Sequence, residues 1–278
     1  MTHRLYHESR GRGPDLVLLH GWGMNAAVWR GLPADLAIGH RLTAIELPGH
    51  GASPWDPATR GLDDWAQACL AAAPARACWI GWSLGGLVAL AAAGLAPERL
   101  SGLILLTATP RFAQAADWPA AMAPATLAGF HDDLLADPAG TLQRFLALQV
   151  KGSEAARETL RQLRLELAER PAPEPRALAQ GLDLLRETDL RPTLPVLNHD
   201  NSRLLPESFT GTLLTANEID GLQVHLGRAL GVGQIIFKAH SGILDRRKKI
   251  MQAHRHPIGE LPPDHRINTL SGVHSFRV

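Results

Sequence analysis

The chain is poor in cysteine. Cys69 and Cys78 are the only two in 278 residues, too few for a disulfide framework, so both are expected as buried thiols in a reducing compartment, with the cytoplasm as the default. No stretch approaches the ~18 consecutive apolar residues that a membrane span needs. The opening Met1-Thr2-His3-Arg4-Leu5-Tyr6 lacks the charged-then-apolar layout of a signal peptide. Charge of one sign is also missing: the net charge is +1, so no global field points to nucleic acid or a membrane surface. Metal-ligand spacing is absent as well. His254 and His256 have only scattered partners, and neither a metal nor an organic cofactor is expected.

What is present is unevenly spread. All seven tryptophans lie between Trp22 and Trp118, whereas seven of the thirteen histidines follow Leu197, together with the basic cluster Arg246-Arg247-Lys248-Lys249. The tail therefore does not read like the front. A chain of this length can bury a full core, and α/β proteins of this size often run as one domain with an insertion.

Asp15-Leu16-Val17-Leu18-Leu19 is an apolar run of strand length between Gly11-Arg12-Gly13-Pro14 and His20-Gly21-Trp22-Gly23. Its continuous apolarity suits a strand buried on both faces, as in a parallel sheet covered by helices. Residues 41–46, 77–80 and 100–106 repeat the pattern, and helical segments over 26–36 and 63–73 lie between the earlier strands. Strands alternating with helices predict an α/β fold with a mostly parallel, doubly wound sheet that takes ligands at the carboxyl ends of its strands. From about Phe112 to Thr188 there is no convincing strand, only Leu- and Ala-rich helical segments broken by Pro119, Pro124, Pro138 and Pro171 to Pro175. A helical cap over the site is expected there, in preference to an extra layer with no part in binding. The core is then residues 1–111 and 189–278, and the cap 112–188.

The chemistry centres on Gly81-Trp82-Ser83-Leu84-Gly85, which follows the apolar run Cys78-Trp79-Ile80 and precedes strong helix formers from Leu87. Strand, tight turn and helix in that order are the context of a nucleophile elbow. Ser83 is the candidate nucleophile, at the positive end of the following helix. Acyl transfer also needs donors for the developing oxyanion. The Leu84 amide, next in sequence, supplies one, and the glycine-flanked loop His20-Gly21-Trp22-Gly23 is placed to supply another from Trp22. His20 and His50 precede the nucleophile, whereas this fold places its acid and its histidine after the serine, so structural roles are expected for both.

His20-Gly21-Trp22-Gly23, Leu47-Pro48-Gly49-His50-Gly51-Ala52-Ser53 and Gly81-Trp82-Ser83-Leu84-Gly85-Gly86 together resemble an α/β-hydrolase serine esterase. More narrowly, Leu18-Leu19-His20-Gly21-Trp22-Gly23-Met24-Asn25, Trp79 to Val88 and Arg144-Phe145-Leu146-Ala147-Leu148-Gln149 resemble the pimeloyl-[acyl-carrier protein] methyl ester esterases of biotin synthesis. The likeness runs from about residue 5 to about 192. It implies hydrolysis of the methyl ester of a pimeloyl chain held on an acyl-carrier protein, with release of methanol and no cofactor. It also implies that Phe145, Leu146, Ala147, Leu148 and Gln149 line the acyl channel beside Trp22, Ser83 and Leu84. Arg157, Arg161 and Arg164, spaced by four and three, share one helical face with Arg144 nearby. Carrier proteins are acidic, so this face is a candidate dock; the plainer reading is a solvated face balanced by Glu154, Glu158 and Glu166. A monomer is expected.

After Arg191-Pro192 the likeness fades. Residues 211–216 are a candidate core strand with an acid turn at Asp220, and 234–237 a candidate last strand leading to His240. The triad would then be Ser83, Asp220 and His240, with His240 also against the substrate; Asp200 and His254 are the runners-up. The competing reading is a frame-altered or divergent tail that never finishes the sheet. The chain would then bind an acyl chain or a carrier protein with impaired catalysis. A generic esterase for short or medium chains is the third possibility.

Overall fold

The computed structural model describes residues 4–32, 34–150 and 156–193, and beyond them the backbone of five strands. A five-stranded sheet forms the centre, in the order β1-β3-β2-β4-β5. β2 (Asp15–Leu19), β3 (Arg41–Ile45), β4 (Ala77–Trp82) and β5 (Leu100–Leu106) are the strands expected from the apolar runs. They pair in parallel, β2 with both β3 and β4, and β4 with β5. β1 (His7–Gly11) adds an antiparallel edge to β3. Its sequence, His-Glu-Ser-Arg-Gly, carries no apolar run, because an edge strand exposed at most positions has little to bury.

The unbroken apolarity of β2 has the expected cause. Val17 and Leu19 join Ile45, Leu47 and Trp79 in the cluster under α2 (Leu62–Ala72) and α3 (Leu84–Leu95). Leu16 and Leu18 join Leu42, Ala44 and Ile80 on the opposite face, against Trp29 and Leu36. Alternate side chains thus enter different apolar layers. The helix expected over 26–36 is in fact two pieces, a 3₁₀ turn Ala26–Trp29 and α1 (Ala34–Gly39). Pro33 explains the break, since the residue before a proline is pushed out of the helical region. Asn25 starts the first piece by accepting the Ala27 amide at 3.0 Å.

α3 is buried from Leu84 to Ala93. Its small residues, Gly85, Gly86, Ala89 and Ala91 to Ala93, let the sheet, α2 and the overlying helices approach closely. Those overlying helices are α4 (Pro124–Ala136), α5 (Pro138–Gln149), α6 (Ala156–Ala168) and α7 (Pro175–Glu187). They fill the stretch in which no strand was expected. Polar ties fasten them to the core. Arg170, just past α6, pairs with Glu8, lies 3.4 Å from buried Glu46 and donates to the Tyr6 hydroxyl at 2.9 Å. Asn25 donates to the Leu167 carbonyl, and the Glu174 amide to Gly49. Beyond α7, the Leu190 amide bonds the Pro110 carbonyl, and Asp189 receives Arg111 and Arg191.

The strands past residue 193 form sheets of their own. β6 (Thr212–Leu214), β9 (Ile267–Leu270) and β10 (Val273–Phe276) make an antiparallel sheet in the order β6-β10-β9, and β7 (Leu222–Ala229) pairs with β8 (Val232–Ala239). The candidate strands over 211–216 and 234–237 are therefore strands, but none of the described tail strands joins the five-stranded sheet. Connectivity explains the partner that β8 takes. Two residues separate it from β7, enough for an antiparallel hairpin, whereas a parallel return needs a dozen or more. Cys69 is buried as expected, while Cys78 is only partly so.

Candidate active site

Ser83 stands between the last residue of β4 and the first of α3 with φ 53° and ψ −118°, a conformation that L-residues avoid. Its amide bonds the Leu106 carbonyl of β5 at 2.9 Å, and its carbonyl accepts from Gly86 and Leu87. The strained turn is possible because strand and helix nearly touch. A Cβ on Gly81 would stand 2.5 Å from the Gly85 carbonyl oxygen, and one on Gly85 would stand 2.5 Å from the carbonyl oxygens of Leu19 and His20. The serine is thereby lifted to the carboxyl end of the sheet and stays partly exposed.

The loop after β2 faces it. A Cβ on Gly21 would lie 3.4 Å from Ser83 Cβ. The Met24 amide closes a turn onto the Gly21 carbonyl at 3.2 Å, which leaves Trp22 at the corner with its amide outside the turn's own hydrogen bond. Leu84 is the first residue of α3, so its amide is among those with no acceptor inside the helix. Trp22 thus sits on the loop that faces the serine, and Leu84 follows the serine directly at the start of α3.

The Trp22 side chain turns the other way. Its ring is buried, its Nε1 donates to the Leu178 carbonyl of α7 at 2.8 Å, and Phe145 of α5 meets it edge-on at 4.9 Å between centroids. Of the five consecutive α5 residues expected to line a channel, Phe145 is the one in ring contact with Trp22. Gln149, four residues on, lies on the same helix face and donates to the Phe145 carbonyl. Leu146 is buried, and Ala147 and Leu148 are exposed. At 100° per residue five neighbours cannot share one wall. Three contributors were missed from sequence. Leu142 packs over Gly23, Leu178 supplies the carbonyl, and Gly181 lets α7 come within reach of Trp22, where a Cβ would stand 2.9 Å from the ring. Leu142 and Gly181 sit one helical turn from Phe145 and Leu178 respectively, which is the only signal that would have found them.

His20 and His50 are wholly buried with rings 5.3 Å apart. His20 Nδ1 lies 2.9 Å from the Gly21 carbonyl oxygen and its Nε2 accepts the Leu47 amide at 3.0 Å. His50 Nδ1 lies 2.9 Å from the Pro48 carbonyl oxygen and its Nε2 accepts the Gly23 amide at 3.3 Å. Burial lowers their pKa values to about 3 and about 4, aided for His20 by the neighbouring His50. Both rings are neutral and fully engaged, so neither is free to take a proton from Ser83. Glu46 holds the same loops from below, accepting the Ala26 and Ala52 amides, and its burial raises its pKa. Asp220 and His240, like the runners-up Asp200 and His254, lie outside the described residues. Among the described residues, no three His, Cys, Asp or Glu side chains converge as a metal site.

On α6, Arg157, Arg161 and Arg164, with Leu160 and the exposed Leu165, line an open groove of about 360 Å³. Arg161 is also held by Glu158. Arg144 is turned away to α4, toward Asp133 and Asp137 at 3.4 and 3.8 Å, and bonds Thr141 at 2.8 Å.

The model of the alpha/beta hydrolase fold family matches residues 14–184. A pimeloyl-[acyl-carrier protein] methyl ester esterase of Stenotrophomonas maltophilia (strain R551-3) is 42% identical over 268 residues, 93% of this chain and 98% of its own. The esterase of the same name from strain K279a is 50% identical over 187 residues, 67% of this chain and 71% of its own. The chain belongs to this esterase family. As in the solved esterase of Exiguobacterium antarcticum, which is 22% identical with a TM-score of 0.62 over 90% of this chain and 93% of that one, the fold is that of an α/β hydrolase. The likeness to the strain K279a esterase covers 67% of the chain, but that to the strain R551-3 esterase covers 93% and so runs on past residue 193, where the likeness was expected to fade. A second family model, of OprD-type outer membrane porins, matches residues 183–236, a stretch that includes Asp220. That match covers too little of the chain to assign it to the porins.

Proposed function

We propose that the chain hydrolyses the methyl ester of pimeloyl-[acyl-carrier protein], releasing methanol, as its relatives are named to do. The observation that carries this is the strained Ser83 elbow facing the Gly21–Met24 turn, whose buried Trp22 ring meets the half-buried Phe145 edge-on. Ser83 Oγ attacks the ester carbonyl, and the amides of Trp22 and Leu84 hold the oxyanion. A histidine takes the serine proton and delivers it to the departing methoxide, giving methanol and an acyl-enzyme. Water, activated by the same histidine, then releases the acid. Phe145 and Gln149 border the acyl chain, and Arg157, Arg161 and Arg164 receive an acidic carrier protein. The proposed partner is that carrier, and the proposed setting is a monomer in the cytoplasm, in keeping with a chain that has only two cysteines.

Chain order favours His240 as the base and Asp220 as its acid. The second reading, an acyl- or carrier-binding protein with impaired turnover, is favoured by the porin-type match over 183–236 and by tail strands that pair among themselves. A fluorophosphonate probe with peptide mapping, followed by turnover of a carrier-bound methyl ester, separates the two. Labelling of Ser83 with turnover abolished in His240→Ala supports the esterase and its base. Turnover lost in His254→Ala instead moves the base, and carrier binding without turnover establishes the second reading.

A further inference from the structure

We propose that His20 and His50 are positioning residues that aim the Trp22 amide at the oxyanion. The inference deepens the esterase reading and rests on the donor role given there to Trp22.

The argument begins with a peptide plane. The carbonyl of Gly21 and the amide of Trp22 belong to one rigid peptide unit, with oxygen and hydrogen on opposite sides. His20 Nδ1 lies 2.9 Å from that oxygen. A carbonyl only accepts, so the proton is on Nδ1, and His20 grips the oxygen end of the unit whose amide is the proposed oxyanion donor. The following unit, Trp22 carbonyl to Gly23 amide, is gripped by His50, whose Nε2 accepts that amide at 3.3 Å. Both units that flank the Trp22 Cα are thus tethered, and no rotation about it leaves the two bonds intact.

Each ring is held in its turn from the loop after β3. His20 Nε2 takes the Leu47 amide, and His50 Nδ1 donates to the Pro48 carbonyl. The loops after β2 and β3 therefore exchange histidines, each ring receiving an amide from the other's loop. Both rings are the Nδ1–H tautomer, the one form that supplies a donor to the carbonyl and an acceptor to the amide. A hydrogen bond to the Gly21 carbonyl also polarises the unit and strengthens its amide as a donor.

Paired amide variants test this. At position 20, Asn places an N–H near the site of Nδ1 and keeps the grip on Gly21, whereas Gln places an acceptor near the site of Nε2 and keeps only Leu47. At position 50, Gln keeps the Gly23 acceptor and Leu loses it. His20→Asn and His50→Gln are expected to stay within a few-fold of the parent in kcat and in the rate of Ser83 phosphonylation. His20→Gln and His50→Leu are expected to lose roughly tenfold to a hundredfold in both, with KM little changed, part of the ~10²–10³ that one oxyanion donor supplies. Equal losses for Asn and Gln at position 20, or losses that follow thermal stability alone, would overturn the proposal. If the parent shows no ester turnover, the esterase reading fails separately, and phosphonylation rates still decide the matter. If Ser83 is not phosphonylated either, amide exchange decides it. Protection at Gly23 lost in His50→Leu and kept in His50→Gln supports the tether, and equal protection in the two refutes it.

Discussion

Trp22 Nε1 donates to the Leu178 carbonyl at 2.8 Å, so the loop beside the nucleophile sends its indole to the helices above. The loop that faces Ser83 and the seating of α7 are joined through a single side chain. Trp22→Phe keeps the ring against Phe145 and removes the bond. It is expected to lower stability by about 1–2 kcal/mol, a buried hydrogen bond lost, and to raise KM more than it lowers kcat. Denaturant unfolding and steady-state kinetics check the two halves.

Ser83 stores strain. Ser83→Ala and Ser83→Gly both remove the nucleophile and are expected to abolish turnover and probe labelling. They should differ in stability. Glycine tolerates φ 53° and ψ −118° and alanine does not, so Ser83→Gly should be the more stable of the two by about 1 kcal/mol. Unfolding midpoints at one pH decide it.

The two buried histidines make folding sensitive to acid. Their folded pKa values, about 3 and about 4, lie below the ordinary 6.5. Between 6.5 and about 4 the unfolded chain binds protons that the folded chain refuses, so stability is full above 6.5 and is lost as the pH falls through this window. Each unit crossed costs up to about 1.4 kcal/mol per histidine. His50→Gln should flatten the curve of unfolding free energy against pH.

The α6 groove predicts a selective defect. Reversing the charge of Arg157, Arg161 and Arg164 is expected to lower kcat/KM on a carrier-bound ester roughly tenfold at low salt, with the gap closing as salt rises. A free methyl ester should hardly notice. Arg144→Glu should behave differently, loosening the α4–α5 junction through Asp133 and Asp137 and affecting both substrates through stability.

Legibility followed the reach of the interactions. β2 to β4 announce themselves because most of their residues are buried, on both faces, and are therefore largely apolar. The elbow announces itself because its glycines are dictated by contacts of 2.5 Å. β1 is silent, since an exposed edge imposes no pattern. Leu142, Leu178 and Gly181 are silent because what matters there is a helix reaching another element, by a carbonyl, a missing side chain or an ordinary leucine. The tail misleads for a different reason. An apolar run such as Gln234-Ile235-Ile236-Phe237 specifies a strand and says nothing about which sheet receives it.

The burial of α3 from Leu84 to Ala93 sets an order of events. Its amides should be the last of the described chain to exchange with solvent, and Ser83 is anchored to that slowest element. α4 and α7 share its apolar core, whereas α6, which buries no residue, is flanked by scattered ties, Asn25 to Leu167 and Arg170 to Glu8. Of the overlying helices α6 should open first, while α3 stays closed. Admitting a long acyl chain and losing the fold are then separate events on separate clocks, and a guest can enter many times before the nucleophile is ever displaced.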